Sequence, residues 1–428
     1  MNGYNQLTTC QKAAFASLQK TENIFLTGGA GSGKSFLVRH FLKGMSTKEF
    51  PVLASTGMAA VLVGGRTFHS FFGLGILKGG VEETIENASR DRRVVKRLKS
   101  ISGFIVDEIS MLSGPTLRAA EVLCRRVRNS DLPWGGLRVI AVGDFAQLPP
   151  VERVVQGQRS WAFLDSVWDW SGFEVCFLKT QTRCRDPEFM KILSLVRNGM
   201  VTNDVIDYLN SKQGKPSESF DGTRLFPRRD EAEKFNLFRL DKINSPLHQF
   251  ATVYSGSAKA IESLKKMSPL SEVLSIKEGA LVMLRQNDPQ GKWVNGSMGH
   301  VVKIGPEALT IELLNGRVIE IEKASFSLLD AEGQEVAAAT GFPITLAWAS
   351  TIHKAQGSTL DRMSVNLSRL WEPGQAYVAL SRLTEGTHLF VESWEARSIR
   401  VDPSVVDFYR QAEQQTSLRY ANSRELKL

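Results

Sequence analysis

Gly28-Gly-Ala-Gly-Ser-Gly-Lys-Ser35 (GGAGSGKS) follows the apolar run Asn23–Thr27 (NIFLT) and precedes Phe36, Leu37, Phe41 and Leu42, which recur at helical spacing. The order is strand, loop, helix. In a loop of this pattern the small residues Gly29, Ala30, Gly31, Ser32 and Gly33 let backbone N–H groups close around phosphates. Lys34 then reaches the β/γ oxygens, and Ser35 offers its hydroxyl to Mg²⁺. The stretch therefore predicts a nucleoside triphosphatase using ATP with Mg²⁺.

Such a loop needs a metal-binding carboxylate at the end of a neighbouring strand. Asp107-Glu108 follows the apolar run Phe104–Val106 at that position, so Asp107 suits Mg²⁺ and Glu108 suits orienting and polarising the attacking water. The next apolar run, Leu137–Gly143, ends in GDFAQLPP. There Gln147 is a short polar sensor for the γ-phosphate, and Pro149-Pro150 makes a stiff turn that passes its displacement on. Together with Pro51–Ser55 these runs alternate with helix-length segments, which reads as a parallel sheet. Between them Leu117, Ala120, Cys124 and Val127 mark an amphipathic helix.

More than 300 residues after the loop, Thr351–Thr359 (TIHKAQGST) and Gln375–Arg382 (QAYVALSR) bring polar and cationic groups that a one-domain ATPase does not need. Two α/β lobes sharing one ATP are expected. The second begins near Phe177, with a helix at Phe189, Ile192, Leu193 and Val196 closed by Gly199. From about Leu270 to Ala338 the pattern changes to short β runs with turns at Asn295-Gly296 and Asn315-Gly316, so a small barrel is expected to interrupt this lobe.

The chain's 428 residues, 42% hydrophobic and 23% charged, suit about three globular domains, and the net charge of +8 suits a polyanionic partner without establishing one. Cys10, Cys124, Cys176 and Cys184 are scattered, so neither a disulfide framework nor a zinc site is expected, which fits a reducing cytosol. The N-terminus has no basic region followed by an apolar run, and no stretch approaches ~18 consecutive apolar residues. Neither secretion nor membrane spanning is expected.

Several residue groups point to nucleic acid. Thr67–Phe72 (TFHSFF) concentrates aromatic and hydroxyl groups after Gly64-Gly65. Stacking a base on an aromatic is worth about 1–3 kcal/mol, comparable with ~1.4 kcal/mol for a DNA base-pair step. Phe68, Phe71 and Phe72 divide between that role and core packing. The basic run Arg90–Lys99 is either a solvated helix face or a duplex-contacting patch. In the barrel, Asn287, Lys292, Trp293 and Asn295 form a polar and aromatic loop suited to clamping a strand, although Trp293 also suits barrel packing.

Read in order, the Gln11 segment, the phosphate loop, Ser55–Gly73, DEISML at Asp107–Leu112, GDFAQLPP, Arg183, HKAQGST and YVALSR resemble the petite-integration-frequency (Pif-type) DNA helicases, related to the RecD-like branch of superfamily 1. The Arg-rich stretch leading to Leu132–Gly136 (LPWGG) looks like that family's signature segment. The resemblance spans Leu7–Val391 and is to a compact, bacterial-like form without large terminal extensions. It implies an α/β fold of two RecA-like P-loop lobes with a small wedge and an inserted Src-homology-3-like barrel. The expected bounds are 1–178 for the first lobe, with the wedge at about 62–85. The second lobe takes 179–269 and 339–410, the barrel 270–338, and a polar tail 411–428.

The resemblance gives Gln11 the adenine edge, lets Gln356 and Gly357 complete the nucleotide grip, and sends Arg183 and Arg382 to the γ-phosphate, where an arginine finger is worth roughly 10³–10⁵ in rate. It places Thr56 on the strand from the first lobe and His353 from the second, with Lys354 adding positive charge beside them; His69, which also suits ordinary packing, Phe72 of the aromatic run and Pro150 are further expected strand contacts. It implies a 5′-to-3′ DNA helicase, monomeric in isolation, acting on single strands, forked junctions and G-quadruplexes, with roles in DNA repair, recombination and telomere maintenance. A bacterial source would place it in the cytoplasm with the nucleoid. A RecD-like motor subunit and an ATP-gated clamp that does not unwind are the alternatives.

Overall fold

The structure, a computed structural model, describes residues 7–425 except 47, 57–65, 76, 78–79, 151–157, 218–219, 289, 291, 294 and 330–333. Its first sheet holds six strands: β1 (Ile24–Thr27), β2 (Val52–Ala54), β3 (Arg66–Thr67), β4 (Gly103–Asp107), β5 (Arg138–Gly143) and β6 (Glu174–Phe177). Their spatial order is β3-β2-β4-β5-β1-β6, and every pairing is parallel. A parallel sheet is covered on both faces, which is why β1 is apolar at successive positions rather than alternate ones. Ile24 and Leu26 face one core with Leu37, Val38 and Ile140, while Phe25 faces a second core with Phe104, Trp134 and Phe145. The helix Gly114–Arg128 buries Leu117, Ala120 and Cys124, as the spacing predicts.

The order of strands places the chemistry. The phosphate loop leaves the carboxyl end of β1, the Asp107-Glu108 pair that of β4, and the Asp144–Gln147 loop that of β5, which lies between them. Loops at the carboxyl ends of adjacent parallel strands open onto a common crevice. A second sheet, Ala349–Thr351, Thr223–Phe226, Met363–Leu367 and Leu389–Trp394 in that spatial order, is also wholly parallel. The predicted helix of this lobe runs Pro187–Arg197, capped by Asp186, whose side chain accepts from the Phe189 N–H.

The inserted β region is larger than 270–338. Leu281–Leu284 pairs with Ile344–Leu346, and Glu335–Gly341 pairs with Val253–Gly256. His248–Ala251 pairs with Val273–Ile276. These antiparallel ladders carry the insert from His248 to Leu346, and the helix Ala258–Met267 lies within it. The flanking strands were assigned to the second lobe because their ladder partners are distant in sequence.

The C-terminal segment also departs from expectation. One helix, Pro403–Glu425, joins residues expected in the second lobe (to 410) with those expected as a polar tail (from 411), and Val405, Phe408 and Tyr409 pack into the first lobe's core, Phe408 stacking on Phe163. The chain thus ends by returning to the lobe where it began.

Phe72 requires a correction. It is fully buried on the short helix Phe68–Phe72, against Phe68, Phe71 and Phe104, and so offers no face to a base. Aromatic rings are prized equally by cores and by stacked bases, and composition does not separate the two. Of the wedge expected at 62–85, the described residues Phe68, Phe71, Phe72, Leu74 and Ile85 belong to the lobe core; 62–65, 76 and 78–79 lie outside the described residues. Phe72→Ala is expected to cost ~3–5 kcal/mol of stability, seen as a lower melting temperature. Single-strand affinity below the melting range should stay unchanged; a loss of affinity in a fully stable variant would return Phe72 to the strand.

Candidate nucleotide site and strand interface

Lys34 opens the helix Lys34–Leu42, and Gly33 before it is left-handed at φ +85°. Gly31 is also left-handed, and a Cβ there would lie 2.6 Å from the Arg183 Cβ, so this glycine is required both by backbone conformation and by the closeness of the Arg183 segment. The Lys34 ammonium donates to the Gly28 and Gly29 carbonyls at 2.7 and 3.2 Å. Burial lowers its pKa, while Asp144 and Glu108 oppose that effect.

Facing the loop is the acidic pair. Glu108 is itself left-handed at φ 54°, an uncommon conformation for a side chain with a Cβ, of the kind that clusters at functional sites. Burial, then the adjacent Glu108 carboxylate, push Asp107 up to about 7. Two half-buried carboxylates at the end of β4, with the Ser35 hydroxyl in the lining of the same cleft as Glu108, supply hard oxygen donors, and this fits Mg²⁺, which binds through one or two carboxylates together with substrate phosphates.

A cleft of about 250 Å³ brings Ala30, Gly31, Gly33, Lys34, Ser35, Phe36, Glu108 and Gln147 of the first lobe to Arg183, Gly357 and Arg382. Gln356 joins them by donating to the Glu108 carboxylate at 3.3 Å. Gln11 is buried beside this cleft, and its amide is partly spent within the protein. Its Nε2 donates to the Ser32 carbonyl, while its Oε1 accepts from the Thr8 N–H and completes a capping box. Arg183 donates to the Ser381 carbonyl. Arg382, 2% exposed, donates to the Val378 carbonyl, the Ser381 hydroxyl and the Ala355 carbonyl. Burial, then the neighbouring Arg183, push Arg382 down to about 9.

The coupling loop is held from three sides. Asp144 is fully buried and takes both Arg197 nitrogens, at 3.1 and 2.8 Å, from the second lobe. The Tyr409 hydroxyl of the C-terminal helix lies 3.1 Å from Asp144 and 2.9 Å from Thr27, and accepts from the Phe145 N–H. Gly374 presses on the carbonyls of Ala146 and Gln147, where a Cβ would come within 2.4 Å of the Gln147 oxygen. Sequence reading missed Asp144, Arg197 and Tyr409, and also Arg39 and Thr182, which line the cleft. Arg39 stands one helical turn beyond Ser35, a spacing that signals the same face; the other contacts are long-range and leave no local signal.

At these distances a loop lysine, the Glu108 carboxylate and two second-lobe arginines surround one cleft, the arrangement expected of a two-lobed ATP motor. The family model of the PIF1-like helicases matches residues 6–205. Over 95% of this chain and 92% of its own length, the ATP-dependent DNA helicase Pif1 of Bdellovibrio bacteriovorus is 53% identical. The chain belongs to the Pif1-like helicase family. Among solved structures, Bacteroides Pif1 in complex with ADP-AlF4 is similar at a TM-score of 0.84 and 29% identity, covering 96% of this chain and 97% of that one. Bacteroides Pif1 in complex with ADP-AlF3 and ssDNA is similar at 0.65 and 30%, covering 95% and 97%.

The expected strand contacts of this Pif1-like chain fall into two groups. In the second lobe, His353 and Lys354 are exposed on the short helix Ile352–Ala355. Lys354 is pushed below its ordinary value by partial burial and then by Arg229, with Glu233 opposing and Arg285 adding to the effect. The barrel turn meets this segment: a Cβ on Gly296 would lie 3.0 Å from Ser358 and from the Thr359 carbonyl. On that loop Asn287 is exposed and accepts from the Asn295 N–H, while Trp293 is half-buried with no partner for its indole N–H among the described residues. In the first lobe Thr56 and His69 are half-exposed, and Pro150 is buried where the described coupling loop ends. Within the basic run, Arg97 turns inward, donating to the Phe71 carbonyl and lying over its ring.

No helix among the described residues is long and apolar enough to cross a membrane.

Proposed function

We propose that this chain is an ATP-dependent 5′-to-3′ DNA helicase that advances along a single strand by closing and reopening its two lobes. The observation that carries the reading is the cleft itself: the phosphate loop and Glu108 of one lobe face Arg183, Gln356 and Arg382 of the other. Neither lobe alone supplies both the loop that holds phosphates and the cations that meet a γ-phosphate.

Lys34 and the loop N–H groups position the triphosphate, with Gln11 at the adenine edge. Ser35 and Asp107 would hold Mg²⁺, which would supply positive charge to offset that of the phosphates. Glu108 orients the attacking water, and the charge that spreads over the γ-oxygens is met by Arg183 and Arg382. Gln147 reports the γ-phosphate to the turn at Pro150, and loss of that phosphate lets the lobes part. Thr56 and His69 grip the strand on one lobe while His353 and Lys354, with the Asn287 and Trp293 loop beside them, grip it on the other. The ssDNA complex of Bacteroides Pif1 supports a strand-binding role for this architecture.

Forked duplexes and G-quadruplexes are the proposed substrates, and the isolated chain acts as a monomer. A single strand orientation across both lobes means a single direction of travel. With ATP and Mg²⁺ the purified chain is expected to displace a strand from a duplex with a 5′ single-stranded tail and to fail on a 3′ tail. Unwinding from the 3′ tail alone would overturn the polarity. ATPase stimulated by single strands without displacement from either tail would make the chain a clamp.

A further inference from the structure

The hydroxyl of Tyr377 sits inside the phosphate loop. It accepts the Ala30 N–H at 2.7 Å, and a Cβ on Gly29 would lie 3.2 Å from it. The side chain is fully buried and reaches the loop from the second-lobe helix Gln375–Leu380. A loop N–H of this kind normally faces phosphate oxygens, so the phenol oxygen stands where an anionic oxygen would be welcome.

Only half of the phenol's hydrogen-bonding capacity is used. A tyrosine hydroxyl both donates and accepts, yet among the described residues Tyr377 makes one hydrogen bond, as acceptor. Burial, followed by the Asp144 charge, raises its pKa well above the usual value, so it keeps its proton. The nearby Asp144 carboxylate already accepts from Arg197, Ala146 and Tyr409. A buried donor without an acceptor is costly, and this one lies beside the phosphate loop on the helix that leads to Arg382.

The geometry points to Tyr377 as a γ-phosphate ligand: its hydroxyl donates to a terminal oxygen of bound nucleoside triphosphate and ties that phosphate to the helix Gln375–Leu380. This rests on the ATP-motor reading above and adds a residue to it. The same helix is preceded by Gly374, packed on the Gln147 carbonyl, and followed by Arg382. One short element therefore touches the loop and the coupling segment and carries the finger, so a hydrogen bond at Tyr377 reports the presence of the third phosphate directly to the second lobe.

The test is Tyr377→Phe, which deletes one oxygen and keeps the ring packed. Binding of ADP and of a non-hydrolysable ATP analogue is measured with Mg²⁺ on the full chain, after melting shows that the variant is folded. A hydrogen bond to a charged group predicts at least a tenfold loss of triphosphate affinity, with ADP affinity held within about twofold. Equal losses for both nucleotides would make Tyr377 a prop for the loop; tighter triphosphate binding would make it a plug; no change would make it packing. Each of these overturns the inference. Should Phe unfold the lobe, Tyr377→His, which retains a ring and an N–H donor, is expected to preserve part of the preference for triphosphate, and complete loss of that preference in a folded His variant counts against a donor role. A wild-type chain that neither binds nor hydrolyses ATP would instead overturn the motor reading itself.

Discussion

Lys34→Ala is expected to abolish ATP turnover, lowering kcat at least ~100-fold, the scale seen when one preorganised charge-stabilising donor is removed. Among the described residues the ammonium bonds only the Gly28 and Gly29 carbonyls, which are the loop's own oxygens rather than a distant structural partner. Those carbonyls can be hydrated when the side chain is gone, so the melting temperature should move little. Burial disfavours this ammonium, and the pull of Asp144 and Glu108 only partly compensates; phosphates arriving in the loop supply the missing counter-charge. The effect therefore belongs to catalysis and nucleotide binding and not to folding. A folded variant that keeps more than about a tenth of wild-type turnover in saturating single-stranded DNA would contradict the role assigned to the loop.

Local chemistry made the nucleotide half of the site legible in sequence. A phosphate loop is contiguous, and the apolar run before Asp107 announces a strand that delivers a carboxylate to the sheet's carboxyl edge. Periodicity likewise revealed the helices Gly114–Arg128 and Pro187–Arg197. What stayed hidden depends on partners distant along the chain. The Tyr409 hydroxyl meets Thr27 across 382 residues and Asp144 across 265, and no pattern near Tyr409 reveals either. Its helix was legible in principle, since Val405, Phe408, Tyr409 and Ala412 fall on one face at i, i+3, i+4 and i+7, but the polar residues that follow disguised it as a tail. Phe72 illustrates another limit: the sequence displayed the aromatic run, but only packing against Phe104 decides between core and strand. The extra strands of the insert were missed because a four-residue strand carries little periodic signal without its partner.

These long-range contacts constrain how the motor can move. Asp144 and Arg197 form a buried ion pair between a first-lobe loop and a second-lobe helix, and leaving one such partner unpaired costs about 3–5 kcal/mol. Lobe motion that keeps the pair intact is therefore expected, and Arg382, if it acts on a γ-phosphate as proposed, has contacts it can exchange. Its donors rest on the Val378 and Ala355 carbonyls and the Ser381 hydroxyl, neutral acceptors that a phosphate can outcompete.

Arg382→Ala is accordingly expected to lower the single-turnover hydrolysis rate by about 10³-fold or more, with a much smaller change in ATP affinity, because a finger acts chiefly on the transition state. The starting state favours this. Burial and the neighbouring Arg183 push Arg382 down to about 9, and among the described residues no carboxylate forms an ion pair with it. The guanidinium thus meets a strong counter-charge only when a γ-phosphate enters the cleft, and its fork is expected to fit those oxygens best as the phosphoryl group transfers. Because Arg382 is buried, truncation also removes packing, so Arg382→Lys serves as the companion variant: it keeps the charge and stem but loses the planar fork. It should fold like wild type and still hydrolyse slowly. If both variants hydrolyse ATP at the wild-type single-turnover rate in saturating DNA, Arg382 is a structural cap of its own helix, and the second lobe contributes its catalytic charge through Arg183 alone.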